Sequence, residues 1–156
     1  MCGIYGHYIF NPDEIIQGKE NIEKLNHRGP DYSGILCKDN LFLGHKRLSI
    51  VDLSDTGAQP FEYKNLKLIF NGEIYNYKDL RKKLKKENYT FEGSSDTEVL
   101  IKAFHRWGIS SFNLIKGMFA FGIYDELNKK FFIARDCVGE KPLYYLFDKN
   151  KFIFSS

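Results

Sequence analysis

Short apolar segments bounded by turn residues recur along the 156-residue chain and limit its fold more than any other feature. Segments of this length, rich in Ile, Leu, Phe and Tyr, are typical of β-strands. They occupy residues 2–10, 33–37, 41–48, 66–70, 118–124, 131–135, 143–147 and 152–155. Turn residues at 126–128 and 148–150 join the last four segments in pairs, which predicts antiparallel hairpins.

Helical spacing of apolar residues marks three other parts of the chain. A turn at 11–13 begins a predicted helix that runs through Leu25, and the Gly and Pro of segment 27–31 end it. Leu80 and Leu84, four residues apart, indicate a helix at 78–86. A third helix opens at Ser95 and ends at Gly108. Many strands with about three helices predict an α+β domain over residues 1–156.

Composition and charge exclude several function classes. A hydrophobic fraction of 43% is enough for one packed core, and the length fits one domain. The net charge is only +3, and much of the positive charge lies in a basic run at 81–86, which we interpret as the solvated face of a helix. A nucleic-acid surface is the alternative for this run. No stacking aromatic pattern or groove-reading motif accompanies it, so we expect no nucleic-acid partner.

Cysteine and histidine usage, with the N-terminal residues, indicates where such a chain works. The three cysteines form no CxxC pair, and their odd number argues against a disulfide framework, so structural thiols are the simplest interpretation of Cys37 and Cys137. The four histidines lack metal-ligand spacing. No secretory signal opens the chain, and no apolar run approaches the roughly 20 residues needed to span a bilayer. We expect a cytoplasmic protein with no metal, no cofactor in this chain and no membrane partner.

The most reactive candidate is Cys2, which becomes N-terminal if Met1 is removed. An α-amine titrates at about pH 7.7–8.0 and a thiol near 8.5, so both lie close to working pH. The amine can take the thiol proton and later give it to a leaving group, which makes one residue both nucleophile and base. From the first residues alone, a buried structural cysteine at the start of a strand is the better interpretation.

The pair Asn71-Gly72 follows an apolar strand and offers two donors for an oxyanion. They are the Asn71 side-chain amide and the Gly72 backbone N–H, which no side chain obstructs. The alternative is a hairpin turn, which an Asn-Gly pair favours strongly.

Three charged residues suit the head group of a free amino acid. Arg47 can bind a carboxylate with two hydrogen bonds, and Glu73 and Asp96 can bind an ammonium. Their alternatives are a surface arginine, a solvated glutamate and, for Asp96, an acid that stabilises a helix N-terminus. An internal peptide bond presents no such zwitterion.

Seven short motifs in this order resemble one family across essentially the whole chain. They are MCGI at 1–4, HRGPD at 27–31, GHKRLSIVD at 44–52, NGEIYN at 71–76, SDTE at 95–98, GMFAF at 117–121 and RDCVGEKPLYY at 135–145. Together they resemble the glutaminase domain of glutamine-hydrolysing asparagine synthetases, a class II glutamine amidotransferase domain. The resemblance implies an N-terminal nucleophile hydrolase fold, an αββα sandwich with two mainly antiparallel sheets.

The resemblance also implies roles for individual residues. Cys2 would be nucleophile and base, and Asn71 with Gly72 would form the oxyanion hole. The remaining positions would bind L-glutamine: Arg47 on the carboxylate, Leu48, Ser49, Ile50 and Val51 along the site, and Glu73 with Asp96 on the ammonium. Segment 27–31 would shape the loop behind Cys2, with Arg28 close to it.

The family's second domain activates a carboxylate with ATP and Mg2+, and no phosphate-binding glycine loop is visible in these residues. We therefore expect this chain to make ammonia for a synthetase domain in cis or in trans. Aspartate, giving asparagine, is the expected acceptor, and another carboxylate is the alternative. The resemblance also allows a homodimer.

Two other functions stay open. An inactive module that binds glutamine for regulation would result if Met1 is retained, because an extended amine cannot act as a base. An amidohydrolase acting on a peptide or acyl amide is the other, and the zwitterion-binding set Arg47, Glu73 and Asp96 argues against it.

Overall fold

The structure, a computed structural model, describes residues 1–48 and 57–156 as nine strands and three α-helices. The strands are β1 (Gly3–Ile9), β2 (Tyr32–Lys38), β3 (Leu41–Arg47), β4 (Phe61–Tyr63), β5 (Leu66–Ile74), β6 (Gly117–Asp125), β7 (Lys130–Arg135), β8 (Tyr144–Phe147) and β9 (Lys151–Ser155). The helices are α1 (Gly18–Glu23), α2 (Tyr77–Lys86) and α3 (Asp96–Trp107). Short 3-10 turns lie at Asn26–Arg28 and Gly108–Asn113.

The strands form two sheets. The first sheet has the order β2-β3-β1-β9-β8, and the second has the order β4-β5-β6-β7. Every described pairing is antiparallel. The first strand, β1, therefore lies at the centre of its sheet. Cys2 directly precedes β1 and so lies at the strand's N-terminal end.

Three clusters of buried side chains fill the spaces between the layers. Ile4 and Leu43 of the first sheet meet Ile69 and Ala120 of the second in a cluster between the sheets. The outer face of the second sheet packs against α2 and α3, and Ile22 of α1 packs on the outer face of the first sheet. These layers give the helix–sheet–sheet–helix order that the resemblance implies.

Most of the predicted elements are observed, with three differences. The first helix covers only Gly18–Glu23 instead of starting after the turn at 11–13, and Ile15 in the intervening stretch is exposed. The three-residue strand β4 was not predicted, because it is too short to show a period. The pair Asn71-Gly72 lies inside β5, opposite Ala120 and Phe119, and not in a loop or hairpin turn.

The prediction that Cys37 and Cys137 are structural thiols is wrong as far as burial is concerned. Both are exposed free thiols, because Cys37 lies on the edge strand β2 and Cys137 in the turn after β7. None of the helices described is long and apolar enough to cross a membrane.

Candidate functional site

A pocket of about 120 Å³ lies where the ends of β1 and β3 approach β5 and the start of α3. Seven residues predicted for the site line it: Cys2, Arg47, Leu48, Asn71, Gly72, Glu73 and Asp96. They come from four different elements or their ends, so the sandwich brings together residues that are far apart in sequence. Ser49, Ile50 and Val51 lie outside the described residues.

The Cys2 thiol is half-buried and held by the backbone of Leu48. Its Sγ accepts from the Leu48 N–H at 3.4 Å and contacts the Leu48 carbonyl at 3.6 Å. Burial raises the pKa of the thiol, although the Leu48 contact, the N-terminal ammonium and Arg47 act in the opposite direction. A thiol with a raised pKa is protonated at neutral pH, so nucleophilic attack requires a base.

Arg28 supports the residue that carries this thiol. Its Nε donates to the Cys2 carbonyl oxygen at 3.2 Å, across 26 residues of sequence. The expectation that segment 27–31 lies behind Cys2 agrees with this contact. The Arg28 Nη2 is buried and has no partner among residues 1–48 and 57–156.

The Asn71 side chain presents an unpaired donor at the pocket. Only 2% of the residue is exposed, and its Nδ2 is buried without a hydrogen-bond partner within the described part of the chain. Buried amide donors are almost always paired, since an unpaired one costs about 1–3 kcal/mol. An orphaned donor that lines a pocket is therefore suited to a ligand atom.

The Gly72 N–H faces the same region because of the way β5 pairs with β6. Gly72 lies opposite Phe119, whose N–H and C=O bind the Oδ2 and N–H of Asp136 at 3.2 and 2.8 Å. Phe119 thus directs its polar groups away from β5, and the alternation of an antiparallel ladder directs the Gly72 N–H away from β6. A φ of +155° and a carbonyl 2.1 Å from the position of an added Cβ restrict this position to glycine.

Two acidic residues, Glu73 and Asp96, and the predicted cation Arg47 contribute charges to the site, together with Lys141. Arg47 is the last residue of β3 and is 8% exposed. Asp96, 5% exposed, opens α3 and accepts from the Ile74 N–H at 2.9 Å. Burial raises the pKa of Asp96 to about 6, against which three backbone N–H groups act, and the charge of Glu73 raises it further. Two neighbouring carboxylates that line a pocket attract a cation, and the guanidinium attracts an anion.

His45, Gln59 and Lys141 are among the further residues that line the pocket, and the sequence did not single them out. His45 is fully buried, Gln59 is 6% exposed and Lys141 is 8% exposed. His45 and Lys141 occur inside the motifs quoted above, which was the only signal for them. Gln59 belongs to no quoted motif, and a single glutamine before a proline carries no periodic or chemical signal.

No group of three or more potential metal ligands occurs in the described ranges, 1–48 and 57–156. The predicted polar groups at the pocket are instead an amide, a guanidinium and two carboxylates, and the imidazole of His45, the amide of Gln59 and the ammonium of Lys141 join them. This set is suited to a small zwitterion.

Comparison with known sequences gives one family and a consistent group of relatives. The family model described as "Glutamine amidotransferase domain" matches residues 1–156. Asparagine synthetase [glutamine-hydrolyzing] 3 of Bacillus subtilis is 38% identical over 100% of this chain and 26% of its own length. The putative asparagine synthetase [glutamine-hydrolyzing] 2 of Methanocaldococcus jannaschii is 39% identical over 100% of the chain and 34% of its own length. The chain thus spans about a quarter to a third of the length of these relatives.

Solved structures show the same fold. Glutamine phosphoribosylpyrophosphate amidotransferase from B. subtilis superposes with a TM-score of 0.80 at 23% identity, over 99% of this chain and 41% of that one. A structure described as the allosteric regulatory enzyme of purine biosynthesis has the same TM-score at 25% identity, over 99% and 42%. The α+β fold of the N-terminal nucleophile type, with two antiparallel sheets, is therefore confirmed.

Proposed function

The chain belongs to the family of glutamine amidotransferase domains, and from this premise we propose that it hydrolyses L-glutamine to L-glutamate and ammonia with Cys2 as the nucleophile. The observation that carries the proposal is the shared pocket. A protonated thiol, an unpaired buried amide donor and a zwitterion-binding set of charges line one cavity of about 120 Å³.

In the proposed reaction, removal of Met1 frees the α-amine of Cys2, which takes the thiol proton. The thiolate attacks the side-chain amide carbon of glutamine, and the oxyanion receives hydrogen bonds from Asn71 Nδ2 and the Gly72 N–H. The α-amine returns its proton to the leaving nitrogen, which departs as ammonia and leaves a thioester on Cys2. Water then attacks the thioester, glutamate leaves, and the thiol is regenerated.

The proposed binding mode uses the charges at the two ends of the head group. Arg47 binds the α-carboxylate, and Glu73 with Asp96 binds the α-ammonium. By resemblance we assign backbone contacts along the substrate to Leu48 and to Ser49, Ile50 and Val51. The half-buried thiol and the orphaned amide then lie at the other end of the substrate, where its side-chain amide belongs.

We further propose that the ammonia serves an ATP-dependent synthetase domain, in cis or in trans, which amidates aspartate or a related carboxylate. The names of the relatives from B. subtilis and M. jannaschii support this proposal. ATP and Mg2+ are required only there, and we assign no cofactor to residues 1–156. A homodimer and a cytoplasmic location stay predictions of the resemblance.

One observation favours a second candidate, a glutamine-binding module without activity. Met1 precedes Cys2 and lines the pocket, and while it is attached the Cys2 nitrogen belongs to a peptide bond and cannot act as a base. The mass of the intact protein distinguishes the two candidates, since a retained Met1 supports the inactive module.

The test is ammonia release from glutamine by the Met1-free protein. We expect Cys2→Ala to abolish turnover and Asn71→Ala to lower kcat by about 10²-fold, as for the loss of one oxyanion donor. The exposed Cys37→Ala variant is the matched control and should keep full activity. Equal turnover by the Cys2→Ala variant would contradict the proposal.

A further inference from the structure

The backbone just before Asn71 lies at an edge of the second sheet that no described strand covers. The pairing of β4 with β5 reaches Leu68, opposite Phe61, and goes no further along β5 among the described residues. Phe70 lies opposite Phe121, two positions along the same ladder from Gly72 and Phe119, so its N–H and C=O also face away from β6. Phe70 is 3% exposed, and its two polar groups therefore need partners other than water.

Gln59 provides the first of these partners. Continuing the register of Phe61 with Leu68 by two residues on each strand places residue 59 opposite Phe70. The side chain of Gln59 supplies the acceptor that a neighbouring strand would otherwise provide: its Oε1 accepts from the Phe70 N–H at 2.6 Å. The Gln59 Nε2 donates to the Thr97 Oγ1 at 3.3 Å, which connects this edge to the first turn of α3.

His45 provides the second partner, from the opposite sheet. Its Nε2 lies 3.2 Å from the Phe70 carbonyl oxygen, and since a carbonyl can only accept, Nε2 carries the proton. The residue is fully buried, and this burial lowers its pKa to about 3, although the Phe70 contact acts in the opposite direction. His45 is thus a neutral donor, and it does not titrate at working pH.

We propose that Gln59 and His45 are positioning residues: Gln59 holds the Phe70 N–H, His45 holds the Phe70 C=O, and together they aim the Asn71 amide at the substrate oxyanion. The inference rests on the proposed glutaminase function and extends it. The Phe70 carbonyl belongs to the peptide plane that leads into Asn71, so the two bonds fix the point from which that side chain extends. An oxyanion donor acts only within about 2.7–3.1 Å of its target, and a misplacement of about 1 Å can cost about 10²-fold in rate.

Two pairs of variants separate the hydrogen bonds from the bulk of the side chains. Gln59→Met keeps length and removes the acceptor, whereas Gln59→Glu restores an oxygen opposite the Phe70 N–H. His45→Leu removes the donor, whereas His45→Gln retains an N–H at a comparable reach. Gln17→Met, at an exposed position before α1, is the control for the loss of an amide from a folded protein.

Steady-state kinetics with glutamine gives the first measurement. We expect Gln59→Met and His45→Leu to lower kcat about 10-fold or more with little change in KM, since binding of the head group is left intact. Gln59→Glu and His45→Gln should recover most of this loss. In an Asn71→Ala background, Gln59→Met should cost almost nothing further, because both changes remove the same donor. An equal further loss in that background, or a loss expressed in KM, would overturn the inference.

A second measurement does not depend on activity. In 15N–1H spectra of the unliganded protein, Gln59→Met should speed hydrogen exchange of the Phe70 amide and shift the Asn71 side-chain NH2 signals, and Gln17→Met should do neither. Unchanged Asn71 signals would overturn the inference even in an active enzyme. Shifted Asn71 signals in a protein without glutaminase activity would support the positioning role and contradict only the proposed function.

Discussion

At the scale of single residues, Asp96 combines its proposed binding role with an electrostatic cost. Burial raises its pKa to about 6, so the carboxylate is ionised at neutral pH only against the preference of its surroundings. An ammonium placed beside it would relieve this cost, and the neighbouring charge of Glu73 adds to the attraction. The environment that would favour an ammonium beside Asp96 therefore makes the empty protein less stable.

The first prediction concerns the pH dependence of glutamine binding. In a Cys2→Ala background, which removes the chemistry, the dissociation constant should rise about 10-fold from pH 7.5 to pH 5, because most of Asp96 is protonated one unit below its pKa. Isothermal titration calorimetry measures this directly. The Cys2→Ala/Asp96→Asn protein should bind weakly and with no such dependence, and an unchanged pH dependence in that protein would contradict the assignment.

The second prediction concerns stability. A raised carboxylate pKa means that the folded state holds the proton more tightly than the unfolded state, so the cost of Asp96 is absent at low pH and complete above about pH 6. Asp96→Asn should therefore increase the free energy of unfolding at pH 7.5, and this gain should shrink by about 1–2 kcal/mol at pH 5. Urea unfolding at the two pH values provides the measurement, and a gain that grows at pH 5 would refute the reasoning.

At the scale of elements, the pairing of β5 with β6 fixes the positions of the two proposed oxyanion donors. Asn71 pairs with Ala120 and directs its side chain to the face of β5 that Ile69 also occupies, between the sheets. Gly72 lies so close to β6 that an added Cβ would be 2.1 Å from the Met118 carbonyl oxygen. The close approach of these two strands leaves no room for a side chain at the second donor.

The third prediction tests this close approach. Gly72→Ala should lower the free energy of unfolding by about 3 kcal/mol and remove glutaminase activity, since β6 must move to admit the methyl group. Gly108→Ala is the matched control: its φ of +56° and ψ of −143° cost a side chain about 1–3 kcal/mol of backbone strain, but nothing lies within 4 Å of the added Cβ, so no strand is displaced and the loss should be the smaller one. Thermal denaturation of both variants checks the difference, and equal losses would contradict the contact.

A buried ion pair between Glu98 and Lys102, one helical turn apart, stabilises the start of α3. Glu98 Oε1 accepts from Lys102 Nζ at 2.5 Å, and its two oxygens accept from the Glu92 and Gly93 N–H groups at 3.0 Å. The acid is 1% exposed, and Lys102 is 5% exposed. This pair ties α3 to the segment before it, at the end where Asp96 meets the pocket.

The fourth prediction follows from the burial of that pair. Lys102→Met should lower the free energy of unfolding by about 3 kcal/mol, because it leaves the Glu98 charge buried without its cation. Lys82→Met breaks the exposed pair with Asp79, 3.9 Å apart, and should cost well under 1 kcal/mol. Chemical denaturation compares the two, and a Lys102→Met protein as stable as Lys82→Met would show that the pair is not a determinant of α3.

At the scale of the whole molecule, the sequence predicts strands and helices where their ends are clearly marked. The segments that became β6 to β9 and the capped helix α3 are examples, since turn residues bound the strands and Ser95 and Gly108 bound the helix. The three-residue strand β4 is too short to be predicted from its sequence. The extension of β5 through Asn71-Gly72 is not predicted either, because pairing with β6 overrides the turn preference of Asn-Gly.

The candidate site divides in the same way. Residues with distinctive chemistry, such as the thiol of Cys2 and the guanidinium of Arg47, can be proposed from the sequence because they lie in recognisable family motifs. Gln59 and His45 cannot be proposed in this way, because their contacts with Phe70 depend on tertiary structure. The Gln59 contact requires that β4 does not extend alongside Phe70, and the His45 contact requires that the two sheets pack together. A side chain that replaces a missing strand leaves no pattern in the sequence.

Labelling of the Met1-free protein with the glutamine analogue diazo-oxo-norleucine, followed by peptide mass spectrometry, tests the nucleophile most directly. The exposed thiols of Cys37 and Cys137 serve as internal controls, since a non-specific electrophile would reach them before the half-buried Cys2. We predict one adduct, on Cys2, that glutamine prevents and that Cys2→Ala abolishes. Labelling of Cys37 or Cys137 with Cys2 unmodified, or no adduct at all, would contradict the assignment of Cys2 as the nucleophile.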